Sequence, residues 1–74
     1  MKIVVVNPNT SAAMTEGIGR AARAVASPGT EIVAVNPADG PASIEGYYDE
    51  VFSVPGLLAE IAAHPDADGY VVAC

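Results

Sequence analysis

Basic residues are the scarcest feature of this chain. Its 74 residues hold three Lys and Arg against nine Asp and Glu, a formal net charge of −6. Nucleic-acid affinity comes largely from Lys and Arg neutralising phosphates, so the balance argues against nucleic acid and equally against an anionic membrane surface. Cysteine and histidine are nearly absent: Cys74 and His64 are the only examples. One thiol cannot close an internal disulfide and suits a reducing compartment, and one Cys with one His cannot build a structural zinc site. No apolar run approaches the roughly 20 residues that cross a bilayer. The opening Lys2-Ile3-Val4-Val5-Val6 is too short for a secretory leader and has no small-residue cleavage site, which makes the cytoplasm the expected location. Charged residues are 16% of the chain and hydrophobic ones 51%, a mixture too apolar for intrinsic disorder. At most one small domain remains.

The apolar pattern reads strand, helix, strand, helix, strand. Ile3 to Val6 is a continuous β-branched run, as in a strand buried on both faces of a parallel sheet. Asn7-Pro8-Asn9 stops it, and Thr10 or Ser11 can cap a helix. Met14, Ile18, Ala21, Ala22 and Val25 follow at helical spacing and predict its apolar face. Ser27-Pro28-Gly29 ends that helix. Glu31 to Val35 reads as a second strand, closed by Asn36-Pro37, with a loop from Ala38 to Ser43. A second helix is expected from Ile44 or Glu45, with Tyr47, Val51, Val54, Leu58 and Ile61 as its face and a kink or break at Pro55-Gly56. Gly69 to Cys74 is a third strand. Strands separated by helices imply right-handed crossovers and a parallel sheet of βαβαβ type, the start of a larger flavodoxin-like α/β domain. The third strand reaches the last residue with no helix to cover it, so residues 1–74 are expected to be part of a longer polypeptide, with the rest of the domain absent.

In open α/β sheets ligands bind beyond the carboxyl ends of the strands, where strand order reverses. With the order 2-1-3, that crevice lies between the ends of strands one and three, which carry Asn7-Pro8-Asn9-Thr10-Ser11 and Cys74. The loop Asp39 to Glu45 would flank it. Each element has a plainer reading. The strand-one turn is either a turn with a helix cap or an anion or carbonyl site built on helix N–H groups. Cys74 is either a small buried apolar residue or a thiol whose pKa is lowered beside a helix N-terminus. Ser43 is a turn residue in the plain reading. Gly17-Ile18-Gly19-Arg20-Ala21-Ala22 matches a dinucleotide fingerprint, but the first glycine of that motif must lie in the turn after strand one. Here it falls inside the helix, where glycine allows close packing on the sheet. Arg20 and Arg23 can pair with Glu16 at helical spacing, and His64 sits favourably near a helix C-terminus. Asp49, Glu50, Glu60, Asp66 and Asp68 are expected on solvated faces.

Val4-Val5-Val6-Asn7-Pro8-Asn9-Thr10-Ser11 with Met14-Thr15, then Gly40-Pro41-Ala42-Ser43-Ile44-Glu45-Gly46, then Gly69-Tyr70-Val71-Val72-Ala73-Cys74, together resemble the N-terminal part of hydantoin and allantoin racemases in the aspartate/glutamate/hydantoin racemase superfamily. The similarity runs over essentially the whole chain. It implies a two-domain α/β enzyme with no metal or organic cofactor, in which two cysteines on opposite faces of an acidic carbon exchange its proton. Cys74 matches the first of these. Asn7, and with it Asn9 and Thr10, match a turn that helps bind substrate, and Ser43 and Ile44 match a loop that lines the pocket. The implied partner is a small molecule, a cyclic ureide or amino-acid-like compound, and a homo-oligomer is expected of the full-length protein. The second cysteine and the second domain that the resemblance implies are absent from residues 1–74, so this piece alone is expected to be inactive. Alternatives within the superfamily are an amino-acid racemase, maleate isomerase or decarboxylase. Outside it, a non-catalytic phosphate- or flavin-binding α/β module would leave Cys74 inert.

Overall fold

A computed structural model describes residues 1–73; Cys74 lies outside them. Five elements follow in order: β1 (Lys2–Val6), α1 (Ala12–Val25), β2 (Glu31–Val35), α2 (Tyr47–Ala62) and β3 (Gly69–Val72). The three strands form one sheet in the order β2-β1-β3. Both pairings are parallel, with Val4 opposite Val33 on one side and Tyr70 on the other. The strand order is the common 2-1-3 arrangement supposed above in locating the crevice. It puts β1 in the centre and makes its mouth, shared with β3, the switch point.

The core is centred on β1. Val4, Val5 and Val6 are all buried, and because successive strand residues point to opposite faces, both faces of β1 are covered. The crossovers β1–α1–β2 and β2–α2–β3 run in opposite directions across the sheet, and right-handed connections then place α1 and α2 on opposite faces. α1 packs on β2 and β1, and α2 on β1.

Helix boundaries and faces depart from expectation in an instructive way. Ser11, rather than Thr10, caps α1: its Oγ accepts from Met14 N at 3.2 Å. α2 begins at Tyr47, two or three residues later than predicted, because Gly46 is still extended and serves as the cap. The Asp49 carboxylate reaches back to accept from Glu45 N at 3.1 Å, close to a capping box. α2 runs unbroken through Pro55. The carbonyl that loses its donor there is that of Val51, on an exposed part of the helix where water can serve it.

The buried stripes are not the large apolar ones. On α1 the buried residues are Thr15 and Gly19, with Ile18 and Ala22 half-buried, whereas Met14, Ala21 and Val25 are exposed. On α2 Ser53 is buried and Gly56, Leu57 and Ile61 half-buried, while Tyr47, Val51, Val54 and Leu58 are exposed. Small residues win these positions because the helices approach closely. A Cβ on Gly19 would stand 3.1 Å from Ala34 Cβ, and one on Gly56 only 2.8 Å from Pro37 Cβ.

Candidate functional site

The mouth of the sheet is built by two loops. The first is the β1–α1 turn. Asn7 and Pro8 continue β1 past its last valine and are buried, and Asn7 N donates to Val35 O at 2.9 Å. The Asn7 amide is fully buried and engaged internally. Its Nδ2 donates to Asn9 Oδ1 at 2.8 Å and to Thr15 Oγ1 at 3.2 Å, with Ser11 O at 3.4 Å, and its Oδ1 accepts from Asn9 N at 3.3 Å. Asn9 Oδ1 also accepts from Ser11 N at 2.8 Å, and Asn9 Nδ2 reaches Met14 Sδ at 3.3 Å. The bonds from Asn9 N to Asn7 Oδ1 and from Ser11 N to Asn9 Oδ1 are Asx-turn bonds that substitute for backbone partners. They hold the turn in one shape before any ligand arrives.

The second loop joins β2 to α2 and turns at Gly40, whose φ of +125° favours glycine. It is tied to the first loop by Thr10 N donating to Pro41 O at 3.1 Å. Beyond that bond, Ser43 is exposed and Ile44 half-buried. A cavity of about 500 Å³ opens here, lined by Pro8, Ile44, Glu50, Ser53, Val54, Leu57 and Val72. Pro8 follows β1 and Val72 ends β3, so the cavity lies at the expected crevice.

Of the residues singled out from sequence, Ile44 lines the cavity directly. Asn7 and Asn9 are buried in the turn beside it, and the backbone N–H of Thr10 is taken by the second loop. Ser43 is on the surface of that loop. Cys74 lies outside the described residues, two positions after Val72. Sequence reasoning missed the contribution of α2. Glu50 and Ser53 were assigned no place in the crevice, although both line it, Ser53 with its hydroxyl spent on Glu50 O at 2.6 Å. The nearest sequence signal was polarity on a helix whose neighbours are apolar, and a single-stripe reading discards it.

The G-x-G-x-x-A run lies wholly within α1, away from the β1 turn, and so cannot wrap a pyrophosphate. Gly19 does make the close approach to the sheet; Gly17, with only Arg20 Nη2 near at 3.9 Å, does not. The expected pairing of Glu16 with Arg20 or Arg23 does not form. Among the described residues the ion pair found is Lys2 with Asp66, and Arg23 instead donates to Ile32 O at 3.2 Å across the sheet edge.

Comparison with known proteins decides the family, since the profile described as Asp/Glu/Hydantoin racemase matches residues 3–74. The chain belongs to the Asp/Glu/hydantoin racemase family. A hydantoin racemase of Pseudomonas sp. (strain NS671) is 54% identical over 76 residues, covering 100% of this chain and 30% of the relative. One from Paenarthrobacter aurescens is 44% identical over 77 residues, again covering 100% of this chain and 33% of the relative. Among solved structures, allantoin racemase from Klebsiella pneumoniae superposes with a TM-score of 0.96 at 56% identity, covering 100% of this chain and 31% of that one. Allantoin racemase from Pseudomonas fluorescens gives 0.93 at 42% identity, covering 99% and 32%. The chain thus spans about a third of the length of the racemases it matches. Within that family membership, the α/β fold of the chain is the corresponding part of the racemase domain.

Proposed function

We propose that this chain supplies one half of a racemase active site for a five-membered cyclic ureide, a hydantoin or allantoin. The observation that carries the reading is the meeting of the Asn7–Ser11 turn and the Pro41–Ile44 loop at the mouth of β1 and β3, in a chain 54% identical to a hydantoin racemase. The carbon to be inverted lies between a carbonyl and a nitrogen. It becomes acidic enough to lose a proton when the developing enolate is stabilised by fixed donors.

Cys74, as thiolate, removes that proton from one face. A second cysteine, outside residues 1–74, gives a proton to the opposite face as a thiol, and the roles exchange for the reverse reaction. Both transfers need thiols tuned towards neutral pH. Asn7 and Asn9 hold the turn in shape, and Asn9, Thr10, Ser43 and Ile44 bound the substrate. The mechanism uses no metal or organic cofactor. The full-length protein acts in the cytoplasm as a homo-oligomer, without nucleic acid or membrane. With a single thiol, the 74-residue chain alone does not racemise.

Replacing Cys74 by Ser in the full-length protein is expected to abolish interconversion of ureide enantiomers, followed by polarimetry, while leaving ligand binding largely intact. Undiminished turnover in that variant would remove Cys74 from the mechanism.

A further inference from the structure

The two strands that lead into the site end in the same tripeptide, Val6-Asn7-Pro8 and Val35-Asn36-Pro37. Val6 pairs with Val35 in the parallel register, so Asn7 and Asn36 stand side by side on neighbouring strands. Thr15, from the first turns of α1, lies between them and is buried. Its Oγ1 accepts from Asn7 Nδ2 at 3.2 Å and is 2.6 Å from Asn36 Oδ1. A hydroxyl has one proton to give, and the bond to Asn36 is shorter than the 3.0 Å approach to Ser11 O. The proton therefore points to Asn36, which leaves the oxygen lone pairs for Asn7. Asn36 Nδ2 in turn donates to Pro37 O at 3.1 Å. The result is a directional chain from the Asn7 amide through Thr15 to the start of the β2–α2 loop.

We propose that Thr15 and Asn36 are positioning residues of the site, fixing the β1–α1 turn relative to the β2–α2 loop; this rests on the racemase reading above. Neither lines the cavity, so both act through what they hold. The two loops leave the sheet separately and carry different parts of the substrate contact, Asn9 and Thr10 on one and Ser43 and Ile44 on the other. The Thr10–Pro41 bond ties them at their tips, and the Asn7–Thr15–Asn36 chain ties them at their roots. Displacing a binding element by about 1 Å can cost on the order of 100-fold. Where the displaced groups contact substrate equally in ground and transition state, the loss is read in KM, so loss of the root tie falls on substrate binding. A buttress serving stability alone would leave the kinetics of the folded molecules untouched.

The test is steady-state racemisation of enantiopure allantoin and of an enantiopure 5-substituted hydantoin by the full-length protein, with folding checked by circular dichroism. Thr15→Val keeps the side-chain shape and removes the hydroxyl. It is expected to raise KM by about tenfold or more, with a smaller change in kcat and an unaltered pH profile. Thr15→Ser should restore KM to within about twofold of the parent, since it restores the same hydrogen bonds. Asn36→Ala should reproduce the Thr15→Val effect, and the double variant should be no worse than the poorer single one, as members of one network are not additive. Asn36→Ala leaves Thr15 free to donate to Ser11 O, so it decides the matter if Thr15→Val does not fold. Parental KM in both variants, or effects that multiply in the double variant, would overturn the proposal while leaving the racemase reading intact. Inactivity of the parent on both ureides would overturn both.

Discussion

Lys2 and Asp66 form an ion pair at the surface. They lie at the amino end of the sheet, opposite the crevice, where Lys2 Nζ meets Asp66 Oδ2 at 2.7 Å. The same corner is closed by Asp68, whose Oδ2 accepts from Lys2 N at 2.7 Å and whose N donates to Lys2 O at 2.8 Å. The hydrogen bond from Lys2 holds the Asp66 carboxyl below its ordinary range, and the same bond raises the Lys2 ammonium above its own. A lowered carboxyl contributes stability above its unfolded pKa, and the contribution disappears as pH falls through the folded value. A raised ammonium contributes below its unfolded pKa, and that share disappears as pH rises through the folded value. Asp66→Asn should therefore lower Tm slightly at neutral pH, as expected of an exposed pair. In thermal melts across pH, the difference from the parent should close at the acid end and again at the strongly alkaline end. A difference that persisted at acid pH would show that Asp66 acts by something other than its charge.

At the scale of elements, the helices are placed by small residues rather than large apolar ones. Gly56 lets α2 sit against Pro37 and the carbonyl of Asp39, both at the root of the loop that borders the cavity. A methyl group there meets a rigid ring and backbone, neither of which can swing aside. Gly56→Ala should cost about 1–3 kcal/mol in chemical denaturation. Because the clash pushes on the β2–α2 loop, it should weaken substrate binding as well. Gly17 is the control within α1: its added Cβ would have only Arg20 Nη2 within reach, at 3.9 Å. Gly17→Ala should stabilise by about 0.5–1 kcal/mol, the usual penalty of glycine inside a helix. Equal effects of the two substitutions would mean that helix propensity, and not the close approach, governs both positions.

For the whole molecule, burial is concentrated on one strand. β1 is covered on both faces, whereas β2 is only half-buried and Tyr70, Val71 and Val72 of β3 are exposed. α2 adds an outward stripe that includes Tyr47 at 88% and Phe52 at 57% exposure, with the Tyr48 and Phe52 rings tilted against each other at 4.7 Å between centroids. Exposed apolar surface on this scale is what larger domains cover, and the racemases matched here are about three times as long. The isolated 74-residue polypeptide should unfold broadly in denaturant, with a small m-value for its length. A sharp two-state transition of a monomer would contradict this and show that β1 with its two helices suffices as a folding unit.

The sequence by itself determined the strand-helix alternation, the parallel sheet and the two loops that border its mouth. Each follows from local signals: β-branched runs, Asn-Pro stops, and helical spacing between them. It also showed the G-x-G-x-x-A run to be misplaced for phosphate, because strand and turn positions are local facts. Tertiary structure alone decided which helix face packs. Hydrophobicity picks out the stripe with the largest apolar side chains, but close approach to a sheet selects Thr15, Gly19, Ser53 and Gly56 instead. It alone decided that the Asn7 amide is spent on Asn9, Ser11 and Thr15, and that Thr15 joins Asn7 to Asn36, which lies 21 residues further along the chain than Thr15. Such a bond depends on register between strands and on the rotation of a helix above them. Neither quantity is written in any window of neighbouring residues.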